Sequence, residues 1–242
     1  SGLGRRTSTA SASAWLRVTK VKRNHAEALA VDVLRPSPLR VDAPCSHYPA
    51  CGGCRFQDLA YEEQVAAKAE QVADALRRIG GIAEPPLEPI VPAEEVFHYR
   101  NKLEYSFTST PGGPALGFHR AGRWDEVLEI ERCWLTTDLG NAVRDAVRVW
   151  ARSEGLEAYD QAEHTGYLRH LVLREGRNTG QMLVQLVTAE GQRFDPEELV
   201  EVLRRFPEVR SIHWSVNDSP AEVTNLPTTL LWGEEAIEEE LC

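Results

Sequence analysis

Three of the five cysteines lie within ten residues, in Cys45-Ser46-His47-Tyr48-Pro49-Ala50-Cys51-Gly52-Gly53-Cys54. This C-x5-C-G-G-C run constrains the chain more than any other feature, because clustered thiolates are either metal ligands or disulfide partners. A disulfide scaffold spreads even numbers of cysteines through a short secreted chain. This chain has 242 residues, an odd cysteine count and no apolar secretory segment at its start. A metal or iron–sulfur site is therefore expected. Gly52 and Gly53 agree with it, since glycine lets backbone N–H groups approach a ligand and turn towards sulfur.

Structural zinc usually takes two paired C-x2-C knuckles around one ion. Here there is one knuckle. An iron–sulfur cluster accepts a compact triplet and one distant thiolate, because each of its irons needs its own ligand. Cys133 and Cys242 are the candidates for that distant ligand. Spacing alone leaves cluster and zinc both open. Three unliganded packed cysteines form a weaker third reading, since glycine-flanked thiols seldom serve packing alone.

Charge divides the chain. Its net charge of −10 excludes a protein that coats nucleic acid by bulk charge. Residues 1–44 nevertheless carry eight Arg and Lys against three Asp and Glu. A basic front on an acidic body suits local phosphate contact, against the plainer alternative of a solvated face. The Ser-, Ala- and Arg-bearing stretch Ser1–Ala14 is read as a disordered tail, with part of a transit peptide as the alternative. No run has the length of a membrane span.

Trp15–Val21 and Ala26–Leu34 alternate apolar and polar residues and predict two strands, too few for a barrel. Leu59–Ile79 has helical spacing and stops at Gly80-Gly81. Pro85, Pro86, Pro89 and Pro92 mark a linker. Strands are then expected over Tyr99–Thr108, Ala115–Arg120, Asp125–Ile130, His170–Arg174, Gln181–Thr188 and Val209–Val216. Helices are expected over Asp138–Glu154 and from Asp195-Pro196 to about Phe206. The fold class is α+β: a partial β module, a cysteine loop with its helix, and a central domain with a mostly antiparallel sheet. The expected divisions are 1–14, 15–44, 45–84 and 85–242. Dinucleotide, P-loop, G-x-S-x-G and H-E-x-x-H patterns are all missing, and the histidines are scattered.

The loop Cys45-x5-Cys51-Gly52-Gly53-Cys54-Arg55-Phe56-Gln57, with Tyr61, Gln64 and Lys68 after it, resembles the iron–sulfur segment of the RNA uracil-5-methyltransferases. Arg17-Val18-Thr19-Lys20, Ala26-Glu27-Ala28 and Pro36-Ser37-Pro38-Leu39-Arg40-Val41 resemble the second half of that family's TRAM domain, a small OB-like barrel. Tyr99–Phe107 and Gly166–Arg174 are similar to strands of its central domain. The likeness runs from about residue 16 to the end, with five motifs in family order.

The resemblance implies a [4Fe-4S] cluster on Cys45, Cys51, Cys54 and Cys133, with Cys242 incidental. It implies an RNA partner, tRNA or ribosomal RNA, and S-adenosylmethionine as methyl donor to uracil C5. In such enzymes a Rossmann-like domain binds that donor and carries the cysteine that attacks uracil C6. Nothing in these residues matches it, so the chain resembles a middle section that does not methylate alone. Arg17, Lys20, Lys22 and Arg23 are expected on RNA phosphates, and Arg100, Lys102, Arg169 and Arg174 along the RNA path, some of them turned to solvent. A stand-alone iron–sulfur module for RNA binding or redox sensing is the alternative. A monomer is expected, in the cytoplasm or an organelle.

Overall fold

The computed structural model describes residues 13–191 and 193–241. Most of the expected tail, residues 1–12, and Cys242 lie outside them. The described chain forms two compact units. The smaller holds 13–44 and Phe56–Pro92; the larger holds Cys45–Arg55 and the residues from Ala93 onwards. The division differs from the expected one, because the cysteine loop belongs with the central domain and its neighbouring helix does not.

In the smaller unit β1 (Ser13–Val21) and β2 (Ala26–Arg35) form an antiparallel hairpin. Lys22 N–H donates to His25 O at 2.8 Å, closing the turn, and Lys22 Nζ pairs with Glu27 at 2.7 Å. Both expected strands are present, but neither is buried: Trp15 is 63% exposed and Leu29 55%. Helix α1 (Tyr61–Arg78) has Glu62 and Glu63 in its first turn and Arg77 and Arg78 in its last, a distribution that suits the helix dipole. It stops where Gly80 N–H bonds back to Ala75 O and Gly81 turns the chain at φ +69°. Ala73 is its buried residue.

The larger unit is built on a seven-stranded sheet. Its strands are β3 (Lys102–Thr110), β4 (Gly113–His119), β5 (Val127–Glu129), β6 (Leu168–Gly176), β7 (Gln181–Thr188), β8 (Val209–Val216) and β9 (Thr229–Gly233). Their spatial order is β5-β4-β3-β6-β7-β8-β9. Every pairing is antiparallel except β7 with β8. A parallel neighbour cannot be reached by a tight turn, so the chain crosses over through α3 (Pro196–Leu203). β9 has no counterpart among the expected strands. Its five residues follow the proline-bearing stretch of Pro220 and Pro227, lead into an acidic one, and show no extended alternation.

Helices α2 (Asp138–Ser153) and α3 pack on the sheet and on each other. Thr137 caps α2 by accepting Gly140 N–H at 3.0 Å, and Asp195 caps α3 by accepting Glu197 N–H at 2.9 Å. Leu103, Tyr105 and Phe107 of β3 and Leu171 and Leu173 of β6 share a core with Val143, Val147 and Trp150 of α2. Each fully buried large side chain contributes about 1.5–3 kcal/mol. The alternate residues Lys102, Glu104, Ser106, His170, Arg174 and Gln185 point to the other face. Part of that face is overlaid by residues 217–226: Thr224 Oγ1 donates to Glu104 at 2.8 Å, and Gln185 Nε2 donates to Thr224 O at 3.1 Å. Among the described residues no helix is long and apolar enough to cross a membrane.

Candidate functional site

The cysteine loop is folded on itself and attached through its backbone to the end of β4 and the turn that follows it. Gly52 N–H donates to His119 O at 2.9 Å, Ala121 N–H to Ala50 O at 2.9 Å, and Cys51 N–H to His47 O at 2.8 Å. A Cβ on Gly52 would stand 2.9 Å from His119 O, so the approach of the two backbones needs glycine. Gly53 N–H points to Cys51 Sγ at 3.4 Å. The two glycines thus divide their work: one admits the sheet edge, the other turns a donor to sulfur.

Cys133 is held from the other side, and far more firmly. It is buried between β5 and α2, at 7% exposure. Its N–H donates to Asn141 Oδ1 at 2.8 Å, while Asn141 Nδ2 donates to Cys133 O at 3.0 Å. The amide of Asn141 therefore clasps the backbone of one residue, its N–H and its C=O, through both of its polar atoms. Arg144, whose side chain is fully buried, donates to Asn141 Oδ1 at 3.0 Å and to Glu131 O at 2.7 Å. Glu131 N–H in turn donates to His47 Nε2 at 3.0 Å, joining this segment to the cysteine loop. An asparagine and an arginine one turn apart inside an amphipathic helix were the available sequence signal, because asparagine is a poor helix former unless its side chain has a partner.

Cys45, Cys51, Cys54 and Cys133 are free thiols that gather within the larger unit. Burial pushes the Cys51 thiol up. The Gly53 N–H pulls it down, and charge on Cys54, Cys133 and Cys45 pushes it up again. Burial likewise raises Cys133, against N–H groups of Leu135 and Thr136 that favour its thiolate, while Cys54 and Cys45 reinforce the rise. Four ionised thiols at this separation repel one another. Among the described residues no three His, Cys, Asp or Glu side chains surround a common point as ligands of one metal ion.

The cations expected on RNA separate into three groups. Arg17, Lys20, Lys22 and Arg23 are exposed on the hairpin and its turn, with Lys22 already paired to Glu27. Arg100 is exposed at the entry to β3; Lys102 and Arg174 are opposite each other on the sheet, with Lys102 paired to Glu104. Hydrogen bonds from Lys102 and Thr224 outweigh the effect of burial and hold Glu104 below the usual carboxylate range. Arg169 is different. It is 3% exposed, and its guanidinium donates to the carbonyls of Asn217, Ser219 and Ala221 at 2.8, 2.6 and 3.1 Å. It fastens the overlying segment to β6. Alternation along β6 would put Arg169 on the core face with Leu171 and Leu173; the pairing register shifts between Leu168 and His170, and its side chain meets residues 217–221 instead.

No protein-family model matches the chain. Relatives do. An uncharacterized RNA methyltransferase of Bacillus cereus is 34% identical over 226 residues, 93% of this chain and 49% of that protein. One from Bacteroides thetaiotaomicron is 34% identical over 93% of this chain and 54% of its own length. The crystal structure of Pyrococcus abyssi tRNA (uracil-54, C5)-methyltransferase, in complex with S-adenosyl-L-homocysteine, matches 93% of this chain at 29% identity, with a TM-score of 0.70. This chain covers 49% of it. The chain is thus similar in sequence and fold to RNA methyltransferases, and it spans about half the length of those it matches.

Proposed function

We propose that this chain forms the RNA-holding and [4Fe-4S]-holding part of an S-adenosylmethionine-dependent methyltransferase that acts on uracil C5 of tRNA or ribosomal RNA. The observation that carries the reading is the gathering of Cys45, Cys51, Cys54 and Cys133 in one unit, within a chain related to RNA methyltransferases. The donor set suits a cluster better than a single ion. A cubane spaces its thiolates over the corners of a wide body, one per iron, so the sulfurs need not surround one point. N–H groups at Gly53, Leu135 and Thr136 are placed to stabilise thiolate. When bound, the cluster supplies positive iron centres that relieve the repulsion among the thiolates and cross-link the loop to the Cys133 segment.

The chain's own residues then do two things. Asn141, Arg144 and His47 hold the two cysteine-bearing segments in register. Arg17, Lys20, Lys22 and Arg23 meet phosphates, which position RNA without reading its sequence. Methyl transfer is assigned to none of the residues described.

Two measurements test the reading. Anaerobically purified protein should carry iron and acid-labile sulfide at about four each per chain. Stoichiometric zinc without sulfide overturns the cluster. RNA affinity should fall steeply with salt, and neutralising Lys20, Lys22 and Arg23 should flatten the log–log slope by about two units. An unchanged slope removes the hairpin from the RNA contact.

A further inference from the structure

On the sheet face away from α2 and α3 lies a polar cleft with about 190 Å³ of room. Its floor is a row across three neighbouring strands: His119 of β4, Ser106 of β3 and His170 of β6. Ser106 Oγ lies 3.5 Å from His119 Nε2 and 3.4 Å from His170 Nδ1. His119 Nε2 is also 3.1 Å from the carboxylate of Glu222. Two flat rings line the cleft as well: Trp124, 67% exposed, and Tyr159, which has the guanidinium of Arg169 4.2 Å from its centre.

The row is under-used by the fold. Ser106 and His170 are 8% and 5% exposed, yet His170 Nε2 and His119 Nδ1 have no hydrogen-bond partner among the described residues. Native structures rarely leave such atoms orphaned without a functional reason. The charged groups around the cleft, by contrast, each have partners, although Arg169 Nε has none among the described residues. Asp125 is held by Arg123 through two bonds of 2.8 Å, and Asp160 accepts the N–H groups of Ala162 and Glu163 at 2.8 and 2.9 Å. Glu222 belongs to His119, and Arg169 to three carbonyls. Burial, with Arg169 beside it, pushes His170 down to about 4, so its imidazole is neutral at physiological pH.

The ligand chemistry follows by exclusion. A phosphate would meet the carboxylates of Asp125, Asp160 and Glu222, and the one cation in the lining, Arg169, is buried with its terminal nitrogens spent on three carbonyls. An amine would find no uncommitted carboxylate. A flat, neutral heterocycle with donors and acceptors along its edge fits both the orphaned imidazole atoms and the rings. We propose that this cleft is a nucleobase pocket: it takes one unstacked base of bound RNA, reads its edge with the His119–Ser106–His170 row and stacks its face on the rings beside it. The row contains no attacking nucleophile of the kind methylation needs, so the pocket holds a base rather than reacting with it. The inference rests on the RNA-binding reading above.

The test uses the full chain and two single-stranded RNA oligonucleotides with the same number of phosphates, one intact and one with abasic positions. Trp124→Ala, at an exposed position, should weaken binding of the intact RNA about tenfold and leave the salt slope unchanged, because no phosphate contact is lost. Ser106→Ala should weaken the same RNA, and both variants should bind the abasic RNA as the parent does. Equal losses on both RNAs, or no loss with either variant, overturn the pocket while leaving RNA binding intact. A parent protein that binds neither RNA overturns both readings at once.

Discussion

Two antiparallel hairpins of similar length, β1–β2 and β6–β7, have different fates. Both alternate or run apolar, and both pair along nearly their whole length. In β6–β7, Leu171, Leu173, Val184 and Leu186 are at most 1% exposed beneath α2 and α3. In β1–β2, Trp15, Leu16, Leu29 and Val31 are all more than half exposed. Hydrogen bonding makes a ribbon in either place, but burial needs a second layer, and a two-stranded ribbon has none of its own. The basic hairpin is thus a surface module, while β6–β7 is the spine of the unit that carries the cysteines.

The sharpest test of that contrast is a pair of truncations. Leu171→Ala opens a cavity in the core and should cost about 3 kcal/mol in denaturant unfolding. Leu29→Ala on the exposed ribbon should cost no more than about 0.5 kcal/mol. Equal losses would mean that the ribbon is buried against something in solution.

The buried histidine of β6 makes a second test. The pKa of His170 in the folded protein, about 4, lies below the usual histidine value near 6.5, so protonation favours the unfolded chain. Its contribution is complete above about pH 6.5 and is lost as pH falls towards 4, by up to about 3 kcal/mol. His170→Gln should flatten the unfolding midpoint over that window. A variant with the parent's pH profile would assign the loss to other groups.

A smaller effect separates the two ways of holding sulfur. Asn141→Ala removes both bonds to the Cys133 peptide and should cost about 2 kcal/mol. In the proposed holoprotein it should also speed iron loss under chelator, with the initial iron content reported alongside. Unchanged iron release would show that Cys133 is positioned by its backbone neighbours alone. Smallest of all, neutralising Lys20 and Arg23 should leave stability within about 0.5 kcal/mol while changing RNA affinity, since both side chains stand in solvent.

Much of the fold could be read from local pattern. Expected strands and helices coincide with β1 to β8 and α1 to α3 to within a few residues, because alternation, capping threonine and Asp-Pro are local signals. β9 escaped because it is short and pairs only through the parallel crossover that places β8. The two compact units part at other places than the expected divisions for a related reason: Cys45–Arg55 is near α1 in sequence, but its bonds go to His119 and Ala121.

The site was legible in part. The cysteine run announced itself by density alone, and the likeness to a family singled out Cys133. Asn141, Arg144 and the His119–Ser106–His170 row carry no spacing that sequence can isolate, because each acts through partners on other strands or loops. Arg169 shows the converse, a basic residue that alternation would place beside Leu171 and Leu173 and that a register shift in β6 delivers to a distant segment instead. What the sequence by itself determined here was which stretches extend, which coil and which side chains can ligate sulfur-loving metals, since those depend on neighbours along the chain. Tertiary structure alone decided which cysteine-bearing segments share one unit, which charges are paired and where a polar cleft opens. Those depend on which strands become neighbours across the sheet, and hydrogen-bonded pairing brings together residues that sequence spacing keeps far apart.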